Sequence, residues 1–232
     1  MQKIDVLDHG YVRLVDHMGS DLSVVNAARV SYDKESLEFN QKDDKLINFL
    51  WKNNHTAPFR HAVITFEAYA PLMIARQWFK YSVASAHLDS QQGWNESSRR
   101  YVTEEPTFYI PSKNEWREAP ANSKQGSGEQ VDPRMGEIFT QELDRFIEEG
   151  LRNYNRLMEM GVCAEQARLF LPAYGMYVRW RWTTSLSGVL HLLNERLEHD
   201  AQFEFQQFAK AVRDLTQPLF PSTFKAVYNV QV

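Results

Sequence analysis

Apolar residues recur along the chain at two spacings, and the change from one to the other marks its elements. Residues 3–6 read as a short strand and residues 11–15 as a second. Ser20 or Asp21 is placed to cap a helix that carries Leu22, Val25, Ala28 and Arg29 at helical spacing. A second amphipathic helix is expected over about residues 42–52, through Leu46, Phe49 and Leu50. Residues 62–70 alternate as a strand, with Val63, Thr65 and Glu67 against Ile64, Phe66 and Ala68, and Pro71 is expected to open the next helix.

Residues 87–131 are polar and rich in turn formers, so a long irregular excursion is expected there. A long helix follows over about residues 133–160, with Phe139, Leu143, Phe146, Ile147, Leu151, Tyr154 and Met158 in register, and Gly161 ends it. A short helix over residues 164–171 stops before Pro172. Val178, Trp180 and Trp182 alternate with Arg179 and Arg181 in a strand over residues 174–183. Two helices, residues 185–197 and about 198–215, are expected to close the fold. Helices outnumber strands without strict alternation, which gives the α+β class and a single domain over residues 1–232.

Composition narrows the function. The 232 residues are 43% hydrophobic, ample for a real core. A balance of 26 basic against 30 acidic residues leaves −4, so no basic field recruits nucleic acid. Cys163 is the one cysteine, which excludes an intrachain disulfide framework and a cysteine zinc cluster, and no metal is expected. No apolar run approaches the roughly 20 residues of a membrane span, and no apolar leader is visible, so a soluble cytoplasmic protein is expected.

Familiar catalytic signatures are missing: no GxGxxG, no GxxxxGK[ST], no HExxH and no GxSxG. Gly126-Ser127-Gly128 follows no strand and reads as linker. What stands out is Arg76-Gln77-Trp78-Phe79-Lys80, followed by Asn95-Glu96-Ser97-Ser98-Arg99-Arg100-Tyr101. Guanidinium forks and hydroxyls suit a phosphate monoester, and neighbouring aromatic faces suit a base. Any single one of these residues reads as well as part of a solvated charged face. A second constellation joins Arg168, Ser185, Ser187, His191, Arg196 and Ala201-Gln202-Phe203-Glu204. On a helix from Ser185, Arg196 falls at the edge of the apolar stripe and His191 about 140° away from it. Arg196 could snorkel or pair with Asp200, or meet an anion.

Taken together, Pro58-Phe59-Arg60-His61, Ala75-Arg76-Gln77-Trp78-Phe79, Asn95 to Tyr101, and Arg196 with Ala201-Gln202-Phe203-Glu204 resemble the flavin-dependent thymidylate synthase family. The N-terminal run from Met18 to Ser31 resembles that family too, and the elements occur in family order along nearly the whole chain. The resemblance implies a central antiparallel sheet with several long helices. It implies methylation of dUMP to dTMP, with carbon from methylenetetrahydrofolate and reducing equivalents from NADPH passed through FAD. It further implies a homotetramer with flavin and nucleotide held between subunits, and small molecules as the only partners.

By motif match, Gln77, Glu96, Ser98, Arg100, Arg168 and Arg196 contact dUMP, with Arg196 as the catalytic group at the pyrimidine. The polar segment adds Trp78, Lys80 and Arg99 on the nucleotide side. His61, Lys80, Tyr81, Ser82, Glu96, Ser185, Ser187 and His191 match flavin-binding positions. Two departures stand out. Lys80-Tyr81-Ser82 replaces the family's Arg-His-Arg triplet, and the spacer before Ser98 is longer than usual, with a polar insertion at about residues 87–94. Ser185-Leu186-Ser187 stands where Asn-Ala-Arg is common. The nucleotide half therefore follows the family pattern more closely than the flavin half. A flavoenzyme acting on another pyrimidine nucleotide, or a non-catalytic nucleotide- or RNA-binding module, are the competing readings.

Overall fold

In the computed structural model, which describes residues 2–81, 93–97, 105–121 and 126–228, two strands do most to place the rest of the chain. β3 (Val63–Pro71) and β5 (Tyr177–Ser185) pair antiparallel along their whole length, from Val63 opposite Ser185 to Pro71 opposite Tyr177. β1 (Lys3–Val6) and β2 (Gly10–Met18) extend the sheet on one side, and β4 (Trp94–Glu96) closes it on the other, giving the order β1-β2-β3-β5-β4. Every pairing is antiparallel. The expected α+β class with a central antiparallel sheet is what forms.

Alternation decides the two faces of this sheet. Ile64, Phe66, Ala68 and Ala70 of β3, with Trp180 and Trp182 of β5, are buried. Phe66 stacks on its register partner Trp182 with centroids 5.8 Å apart. The opposite face is polar and aromatic: Glu67 accepts from Tyr11 Oη at 2.9 Å and pairs with Arg13 at 2.8 Å, while Tyr69 lies against Tyr11 and Tyr177.

Helices make up the rest of the longer regular structure described. These are α1 (Asp21–Arg29), α2 (Gln41–Lys52), α3 (Leu72–Trp78), the 27-residue α4 (Pro133–Glu159), α5 (Ala164–Ala167), α6 (Leu186–Arg196), α7 (Phe203–Thr216) and α8 (Pro221–Tyr228). Gly161, at φ +84, takes the left-handed turn that stops α4. Among the described residues no helix is long and apolar enough to cross a membrane.

Several boundaries differ from the sequence expectation. Pro71 is the last residue of β3 and the N-cap of α3, not its first residue. β4 emerges inside the polar excursion, where Trp94 stacks on Trp180 at 4.9 Å. The helix expected from residue 198 begins at Phe203, because residues 198–202 form a turn whose carbonyls at Glu198 and Ala201 accept from Gln206 Nε2. The closing helix α8 was not expected at all. Its N-terminus is capped from α1: Asp21 accepts from the backbone of Ser222 and Thr223 and from Thr223 Oγ1 at 2.6 Å. Burial pushes the Asp21 carboxyl up against these hydrogen bonds, which pull it down.

Candidate active site

β3 runs directly into α3 and β5 directly into α6, and the two strands are antiparallel neighbours. Their helices therefore leave from opposite ends of the pair and turn back over the buried face toward each other. The end of α3 meets the end of α6, which brings Gln77 and Tyr81 to Arg196 across more than 110 positions of sequence.

Arg196 is the centre of this meeting. Its Nε donates to Tyr81 Oη at 2.7 Å and its Nη1 to Gln77 Oε1 at 3.2 Å. The guanidinium lies 5.7 Å from the Tyr81 ring centroid and 5.4 Å from that of Phe205. Among the described residues no ion pair joins Arg196 to Asp200, and Nη2 makes no hydrogen bond. Arg196 is thus a half-buried cation held at both Nε and Nη1. Arg196, Gln77 and Lys80 line a cleft of about 850 Å³ together with residues of the turn before α7. That volume lies within the roughly 300–1,000 Å³ usual for small-molecule sites.

Behind the cleft the polar contacts continue. Gln77 Nε2 donates to Gln202 Oε1 at 2.5 Å, Gln202 Nε2 donates to Glu204 Oε2 at 3.0 Å, and Arg117 donates to Glu204 Oε1 at 2.5 Å. Arg117 also lies over the Phe203 ring at 3.9 Å. Sequence reasoning quoted Gln202 and Glu204 within a motif without giving them a role, and it missed Arg117 altogether. Arg117 carries no local signal, since its partner lies 87 positions away.

The residues assigned to flavin gather along α6. Ser187 and His191, one turn apart, are half-buried and exposed, and the His191 ring meets the Tyr81 ring edge-on at 5.4 Å. His61 is exposed beside the start of the same helix, where Leu186 N donates to Ala62 O at 2.9 Å. Ser185 is different: it is buried, and its hydroxyl caps α6 by accepting from Gly188 N at 3.2 Å. Tyr81 is likewise buried, its hydroxyl committed to Arg196.

Other expected residues fall elsewhere. Trp78 is a correction: it is fully buried in the core, stacked on Phe205 and edge-on to Trp180 and Trp182, so its ring cannot face a nucleotide in this cleft. Glu96 is exposed on edge strand β4, opposite Trp180. Arg168 is exposed on the single turn after α5, outside the hydrogen-bonded network around Arg196. Ser82, Ser98, Arg99 and Arg100, and most of the insertion at 87–94, lie outside the described residues. Cys163 is exposed at the N-cap of the four-residue α5 instead of being a small buried hydrophobe.

Residues 13–222 match the family model described as thymidylate synthase complementing protein. A flavin-dependent thymidylate synthase of Thermotoga neapolitana is 37% identical over 224 residues, covering 97% of this chain and 93% of the relative. The chain belongs to the flavin-dependent thymidylate synthase family.

Another relative so named, from Thermus thermophilus, is 35% identical and is covered over 77% of its length. The fold agrees with a solved UMP/dUMP methylase, PolB of Streptomyces cacaoi. The structure of that protein bound with 5-Br dUMP superposes with a TM-score of 0.80 at 28% identity, covering 96% of both chains. Its structure bound with 5-Br UMP gives 0.78 at 26% identity, covering 99% of both. Lys80 lines the same cleft as Arg196, and Tyr81 bonds Arg196 directly.

Proposed function

We propose that this chain methylates dUMP to dTMP. The methylene carbon of methylenetetrahydrofolate becomes the methyl group, the uracil C5 proton is released, and NADPH provides one hydride, which carries the two electrons of the reduction, leaving tetrahydrofolate and NADP⁺. The observation that carries this reading is the Arg196 guanidinium, fixed by Gln77 and Tyr81 at the wall of the cleft.

For C5 to act as a nucleophile, electron density must move into the pyrimidine ring. A fixed guanidinium beside N3 and O2 stabilises that developing charge, and fixing it beforehand removes the reorganisation otherwise needed. Lys80 adds a second positive charge at the same cleft. The nucleotide phosphate falls to Ser98 and Arg100, with Gln77, Glu96, Arg99 and Arg168 as further contacts. Trp78, buried in the core, is given no nucleotide contact in this reading.

The residue chemistry also fits FAD. The exposed side of α6 offers Ser187 and His191, with His61 at its start and Lys80 across from its end. These provide the donors and positive charge a dinucleotide diphosphate needs. When bound, FAD supplies the hydride transfer between NADPH and the carbon unit. Ser185 and Tyr81 support that surface by capping α6 and by holding Arg196. We assign the working enzyme as a cytoplasmic homotetramer whose subunits share each site, with Arg168 on an exposed turn available to a neighbouring subunit.

UMP is a second reading, favoured by the solved relative described as a UMP/dUMP methylase. Purified protein is incubated with FAD, methylenetetrahydrofolate, NADPH and either dUMP or UMP, and nucleotides are separated by chromatography. dTMP is expected from dUMP. A 5-methylated ribonucleotide formed in preference moves the substrate to UMP, and no methylated product from either overturns the proposal.

A further inference from the structure

The side-chain amides of Gln77 and Gln202 lie in line between two charges, and the charges leave them one orientation. Glu204 is a buried carboxylate that can only accept, so Gln202 must turn Nε2 toward it. Gln202 Oε1 then faces Gln77, which must answer with Nε2. Gln77 Oε1 is left for Arg196, which can only donate. Every donor in the row meets an acceptor, and reversing either amide alone would set donor against donor on one side of it and acceptor against acceptor on the other.

At the far end Glu204 meets a cation. Arg117 donates to it at 2.5 Å and stacks on Phe203 at 3.9 Å. Arg117 is itself held on a short ribbon, with Arg117 bridged to Gln130 and Val131 N donating to Trp116 O at 2.9 Å. That ribbon is tied to α4 by the 2.9 Å bond from Trp116 Nε1 to Thr140 Oγ1.

We propose that Arg117, Glu204 and Gln202 are positioning residues for the reaction. From the end of the row away from the guanidinium they fix which atom Gln77 presents, and through Gln77 they aim Arg196. Only the identity of the nucleotide rests on the function proposed above. The aim of Arg196 can be read without turnover.

The test is a double-mutant cycle on the full-length protein with FAD, using Glu204→Gln and Gln77→Met. A glutamine at 204 has one acceptor oxygen for two donors, so the row loses its direction while volume is kept. Turnover of dUMP, KM and Tm are measured, and the Arg196 Nε–H signal is followed by NMR, assigned through its loss in Arg196→Lys. Glu204→Gln is expected to lower kcat about tenfold or more, the scale of a misplaced charge-assisted hydrogen bond. In the Gln77→Met background the same change should cost less than about twofold, and in the otherwise native chain it should shift or broaden the Arg196 signal. Losses that multiply, or an unmoved Arg196 signal, overturn the proposal. If Glu204→Gln fails to fold, Gln202→Met, which keeps length and interrupts the same row, carries the same measurements. Wild-type protein that forms no methylated nucleotide defeats the proposed function, and the NMR comparison then decides the positioning role alone.

Discussion

The Tyr81 hydroxyl accepts from Arg196 Nε at 2.7 Å, so the residue that the sequence resemblance puts in the middle of an altered triplet is one that anchors the guanidinium. A phenol at this place can accept from Arg196 and still meet His191 with its ring edge. The substitution thus reaches both halves of the site at once: the hydroxyl serves the nucleotide side and the ring serves the surface assigned to flavin.

Tyr81→Phe separates these two tasks. The ring contact with His191 and the cation–π contact with Arg196 persist, while the acceptor is lost. A hydrogen bond to a charged group is worth about 1.5–3 kcal/mol, so kcat for nucleotide methylation should fall about ten- to a hundredfold. FAD affinity should change by less than about threefold, because the loss falls on one side of the ring. Fluorescence titration of FAD beside steady-state kinetics checks both, and equal loss of flavin binding and turnover would show that the hydroxyl serves the flavin instead.

Trp78 belongs to stability. Its ring is fully buried among Trp180, Trp182, Phe205 and Phe208. Trp78→Ala should cost about 3–5 kcal/mol, or roughly 6–20 °C in Tm for a chain of this size. The milder Trp78→Phe should lower Tm while leaving KM for dUMP within about twofold. A raised KM with Tm unchanged would place the ring against the nucleotide after all.

The sheet's polar face predicts a pH dependence. Burial alone would raise the Glu67 carboxyl, but hydrogen bonds from Arg13 and Tyr11 and the Arg13 charge outweigh it and hold the group below its ordinary value. A carboxyl depressed in the native state contributes stability above its unfolded pKa, and that contribution is lost as pH falls through the native pKa. The Tm advantage of wild type over Glu67→Gln should therefore be steady from neutrality down to about pH 5 and shrink as pH falls below that. Melting both proteins across that range checks it. A gap independent of pH would assign the effect to hydrogen-bond geometry alone.

What could be read in advance follows from how far each interaction reaches along the chain. β3 announced itself because its inward and outward residues differ sharply in polarity, and α4 because its stripe repeats over seven turns. β4 did not, being three residues long with Trp94 as its one apolar side chain. α8 was missed because the group that caps it, Asp21, lies some 200 positions earlier. The turn at 198–202 contains neither glycine nor proline, and what holds it open is the Gln206 side chain of the following helix. Trp78 reads as an aromatic face for the nucleotide because it stands in the polar segment rich in cations, yet consecutive helical residues point about 100° apart. Gln77 therefore faces the cleft and Trp78 the core. The edge position of Arg196 was visible from its periodicity, but Tyr81, 115 positions away, was not.

The last prediction separates this chemistry from a cysteine-based route to the same product. A thiolate nucleophile needs an electropositive setting that lowers its pKa and a place against the substrate. Cys163 is exposed at the N-cap of a four-residue helix, and it is absent from the residues lining the cleft around Arg196. The chain contains no second cysteine. Cys163→Ala should therefore keep dTMP formation within about threefold of wild type, the scale of a surface change that touches no reacting atom. Arg196→Ala should lose about a hundredfold or more, as for removal of a preorganised electrostatic stabiliser. The measurement is dTMP formation at saturating FAD, with circular dichroism confirming that each variant is folded. Arg196→Lys refines it: a lysine keeps the charge but lacks the planar fork that bonds Tyr81 and Gln77, so its activity should stay nearer to alanine's than to wild type's. An inactive Cys163→Ala beside an active Arg196→Ala would reverse the assignment and make the thiol the reacting group.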